Sequence, residues 1–86
     1  MKRLLSCTSS EMLKMDGQEL KQAILASEGR TVMTETVVAI EPLLGDLTNA
    51  ELAVSFGSDM VLLNCFDCNH PEIKGLPACD NPVDKL

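Results

Sequence analysis

Two apolar runs, "RTVMTETVVAI", rich in β-branched residues, and "DMVLLN", flank one compact helical stretch, "TNAELAVSFG", and that order constrains the fold more than any other feature of the chain. β-Branched side chains are stiff at their first torsion and fit a pleated surface, so the first run reads as a strand over about 31–38, and the second, apolar along its middle, as a buried strand over about 59–64. Both are nearly continuous in apolar content, the pattern of strands covered on two faces, as in parallel sheets. Between them Thr48 caps a helix over about 49–56, Glu51 stands where a capping box needs its second member, and Gly57 ends the helix. Strand, helix and strand in this order make a βαβ unit with a right-handed crossover. The strands begin about 28 residues apart, a period suited to repeated β/α units.

Upstream, Thr8 with Glu11 and Asp16 with Glu19 repeat the capping-box spacing. Helices are therefore expected over about 9–14 and 17–28, the second closed by Gly29 in the left-handed conformation. Leu20, Ala23, Ile24 and Ser27 share one face of that helix, which needs a partner layer. Downstream, Asp80 or Asn81 ahead of Pro82 starts a further helix at 82, with Val83 and Leu86 opening an apolar face. The apolar tip "PLLG", Pro42 to Gly45, is expected to pack against a neighbouring loop. The organisation is then an N-terminal helical segment, 1–30, followed by two β/α units, 31–86, of a single partial domain. A helix of about five residues carries the cost of nucleation with little propagation to offset it. Two parallel strands also leave both sheet edges unpaired. The 86 residues are thus expected to belong to a larger β/α protein, or to complete their sheet by self-association.

A formal net charge of −6, with seven scattered basic residues, argues against a nucleic-acid partner, since phosphate binding relies on clustered Lys and Arg. Phe56 and Phe66 are the aromatic residues, so the core is built from aliphatic side chains and Met. No run approaches the roughly eighteen apolar residues that a membrane span requires. The opening "MKRLLSC" places only Leu4 and Leu5 between Arg3 and Ser6, too short for the apolar part of an export signal. The expected setting is cytoplasmic, where cysteines are thiols and not a disulfide framework.

The stretch "LTNAELAVSFGSDMVLLN" is similar to the early β/α units of TIM-barrel enzymes, in which a helix, then Gly-Ala-Asp, then an apolar strand ending in Asn is common. Taken with "LLSCTSSEM", "SEGRTVMTETVV" and "LLNCFDCNHPEIKGLP", the whole chain resembles the N-terminal third of an uncharacterised bacterial TIM-barrel family sometimes labelled phosphoenolpyruvate phosphonomutase-like. The resemblance implies an eight-stranded barrel with the N-terminal helices plugging or flanking its bottom, and six strands beyond those found here. It also implies lyase or mutase chemistry on a small anionic metabolite, with this piece not expected to be active alone.

In a β/α barrel the chemistry sits at the carboxyl ends of the strands and in the loops that follow. Glu35 is the one charge inside the first apolar run and shares its parity with Met33 and Val37. A carboxylate there is costly to bury unless it is paired or binds a metal, so Glu35 is a candidate general base or ligand of a divalent cation such as Mg. Asn64 ends the second strand, on one parity with Met60 and Leu62, and is a candidate for orienting substrate; Asp67 on the following loop is a second candidate acid and cation ligand. Against these stand plainer roles: an ion-paired or solvated Glu35, an Asn64 that satisfies turn backbone, and Asp67 as a loop carboxylate.

Cys65, Cys68, His70 and Cys79 supply the number of ligands of a zinc site, but His70 and Cys79 do not form a second couple of standard spacing. Cys-x-x-Cys directly after a strand also suggests redox chemistry, yet Pro71, Gly75 and Pro77 deny the following helix such sites use. The plain expectation is a small buried Cys65 at the strand end and Cys68 on the loop. The leading reading is a barrel enzyme acting on a small molecule. The others are a small self-associating or partner-binding α/β module and a Cys/His metal-binding module.

Overall fold

The computed structural model describes residues 2–86. The chain divides into two compact units, one ending at Val32 and one running from Met33 to Leu86.

In the first unit a single 3₁₀ turn, Leu4–Ser6, precedes helices α1, Ser9–Leu13, and α2, Gly17–Ala26. Both capping boxes form in full. The Thr8 hydroxyl accepts from Glu11 N–H at 3.2 Å while Glu11 Oε1 accepts from Thr8 N–H at 3.1 Å. Asp16 and Glu19 repeat the exchange at 2.8 and 3.3 Å. These local bonds satisfy amides that have no partner within the helix, which is why two short helices start where the sequence says. Ala23 and Ser27 are fully buried and Leu4 nearly so. Burying the Ser27 hydroxyl is tolerated because it is fully used: Oγ accepts from Leu4 N–H at 3.2 Å and donates to the Ala23 carbonyl at 3.1 Å. Helix α2 stops two residues short of the expected 28, with Ser27 as its cap. The chain then leaves through two successive left-handed residues, Glu28 at φ 54° and Gly29 at φ 80°.

The second unit holds strand β1, Met33–Val37, helix α3, Asn49–Ser55, strand β2, Met60–Asn64, and helix α4, Pro82–Lys85. The strands are parallel, in the register Met33↔Met60, Glu35↔Leu62 and Val37↔Asn64, and α3 makes the crossover. A bond from Val38 N–H to the Asn64 carbonyl, 3.1 Å, carries the pairing one step past the end of β1. The first strand is shorter than the expected 31–38 at its start. At α3 the Thr48 hydroxyl, 1% exposed, accepts from Glu51 N–H at 3.1 Å. The reciprocal bond from Thr48 N–H to the Glu51 carboxylate is not made among the described residues, so this is half of the expected box. Pro82 begins α4 as its spacing requires, with Asn81 as the cap.

One expectation is corrected outright. The strands are not covered on both faces: Met33 is 58% and Leu62 46% exposed, while Glu35 and Asn64 on the same face are exposed as well. Continuous apolar content reports what a strand can bury and not what this chain supplies to bury it. The apolar tip is likewise open, with Leu43 83% exposed, while Pro42 lies against the neighbouring loop at Gly75. The core of this unit is Val38, Ala50 and Ile73, with Thr48 and Pro82 beside them in burial. Among the described residues no helix is long and apolar enough to cross a membrane.

Candidate functional site

The carboxyl ends of β1 and β2 lie side by side because the strands are parallel and in register. On the open face, Glu35 and Asn64 are diagonal neighbours across the pair. Asn64 Nδ2 donates to Glu35 Oε2 at 2.8 Å, so two residues that the parity of each strand singled out meet in one hydrogen bond. A charged acceptor makes this a stronger bond than a neutral pair would form. Glu35 is not a buried charge: the bond orients a solvent-exposed carboxylate.

Immediately after β2 the backbone reverses. Cys65 takes φ 65°, a left-handed conformation that a residue other than Gly adopts at a cost of about 1–2 kcal/mol. Its thiol stands 3.7 Å from Asn64 Oδ1, so the Asn64 amide faces Glu35 with its nitrogen and Cys65 with its oxygen. Cys65 is exposed, which corrects the expectation of a small buried residue. Two residues on, Asp67 Oδ1 accepts from Asn69 N–H at 2.9 Å, the turn in which an Asp side chain substitutes for backbone.

The loop after β2 then doubles back to the end of β1. Lys74 N–H donates to the Val38 carbonyl at 2.9 Å, and Ile73 is buried beside that point. The return encloses a recess of about 190 Å³ against Val38 and Ala39 at the end of β1. Its polar wall is Cys65, Asp67, His70, Glu72 and Lys74. The Lys74 ammonium lies 3.8 Å from Glu41 and 3.6 Å from Glu72, both partners well exposed, so water screens these pairs and they hold the cation loosely.

Among the sequence candidates, Glu35 and Asn64 come together on the sheet face, while Asp67 joins His70 and Cys65 in the recess wall. Cys68 is exposed on the loop. His70 also lines a second recess of about 460 Å³, formed within residues 69–82, and Cys79 lines it too. Among the described residues no three His, Cys, Asp or Glu side chains gather into a set able to hold a metal ion. The zinc set of Cys65, Cys68, His70 and Cys79 is therefore not assembled. Of the two candidate cation ligands, Glu35 accepts from Asn64 on the sheet face and Asp67 accepts from Asn69 N–H in its own turn.

Sequence reasoning missed Glu72 and Lys74. Their presence depends on the return of the loop, and the signal available for it was Gly75, whose φ of 93° marks a turn where Lys74 bonds the first strand.

A family model described as a domain of unknown function (DUF7916) matches residues 5–86. No curated protein and no solved structure matches the chain.

Proposed function

We propose, of a chain that belongs to the DUF7916 family, that Met33–Leu86 supplies two consecutive β/α units of a TIM-type barrel enzyme and that the ends of its strands form one sector of the substrate site. The observation that carries the reading is the bond from Asn64 Nδ2 to Glu35 Oε2, on the uncovered face at the carboxyl side of the sheet. In a barrel, one face of each strand packs on the helix ring and the other points inward, with active groups at the carboxyl ends. The distribution of side chains agrees. Val61 shares an apolar groove with Ala50 and Val54 of α3, whereas Met33, Glu35, Leu62 and Asn64 stand on the opposite, open face.

In this reading Glu35 takes a proton from the substrate, Asn64 fixes the carboxylate through one oxygen, and Lys74 seats an anionic group after exchanging its loose contacts with Glu41 and Glu72. Asp67 and His70 complete the polar wall. The resemblance to phosphonomutase-like barrels favours lyase or mutase chemistry on a small anionic metabolite. Four free thiols suit a cytoplasmic setting.

Thermal-shift titration of the chain with a panel of small phosphorylated and carboxylated metabolites tests it. At least one compound is expected to raise the midpoint, with the rise lost in Asn64→Ala and Lys74→Met and kept in Lys21→Ala. No response to any anion, or equal response in all variants, overturns the proposal.

A second reading, a module that binds itself or a partner protein through the sheet, is favoured by the exposure of Met33 and Leu62.

A further inference from the structure

We draw no further inference here: the strongest candidate, the apolar groove of about 490 Å³ between α3, β2 and α4 that Ala50, Val54, Val61, Val83 and Leu86 line, is an unpartnered surface, and nothing in the structure shows what covers it.

Discussion

A methyl group in place of the Gly75 hydrogen would sit 2.7 Å from Pro42 Cγ and 3.5 Å from Thr48 Cα, in a backbone at φ 93° that side chains other than glycine's rarely adopt. Strain and crowding act together there, so Gly75→Ala is expected to destabilise the second unit by about 1–3 kcal/mol in denaturant melts. Gly57→Ala, at φ 102° but with open space around it, carries only the backbone cost, about 1 kcal/mol. At this scale the sequence was informative about identity and poor about company. Glu35 and Asn64 could be picked from strand parity, and they bond each other at 2.8 Å. Glu72 and Lys74 could not, because what brings them to the strand ends is a loop that turns back, and nothing periodic announces where a loop goes.

The elements themselves divide along the same physical line. Helix starts depend on bonds within four residues, and the boxes at Thr8 and Asp16 and the Asn81 cap were legible for that reason. Strand coverage depends on what else folds against the sheet, and there the apolar pattern misled. Two predictions belong to the caps. Thr48→Ala removes a buried hydroxyl that holds the start of α3, and a loss of about 1–2 kcal/mol is expected, read by thermal or chemical denaturation. At α1 the Thr8 N–H, then the Lys2 ammonium and the Thr8 hydroxyl, hold the Glu11 carboxyl below its ordinary value of 4.5. A carboxyl lowered in the folded state adds stability that is fully present above its unfolded value and is lost as pH falls through the folded one. Residues 9–13 should therefore keep their helical NMR shifts from neutral pH down to about 4.5 and lose them progressively below it. Glu11→Gln should flatten that acid limb, and an unchanged titration would refute the cap's role.

For the whole molecule the open sheet face sets the behaviour. Met33 and Leu62 together expose apolar surface that a barrel interior, a second copy or a partner would cover. If the face serves association, sedimentation should show a concentration-dependent increase in mass, reversed by Leu62→Lys with a stability change within about 0.5 kcal/mol, since the residue is exposed. A strictly monomeric wild-type chain would refute self-association and leave the partner-binding form and the enzyme proposal standing. The bond from Lys74 N–H to the Val38 carbonyl has a further consequence for this loop. It staples a long connection at its middle, so that hydrogen exchange should find a slow amide at Lys74 between faster neighbours on either side. The loop then breathes as two arms and not one, and the arm carrying Asp67 and His70 can admit a ligand while the arm leading to α4 stays at rest.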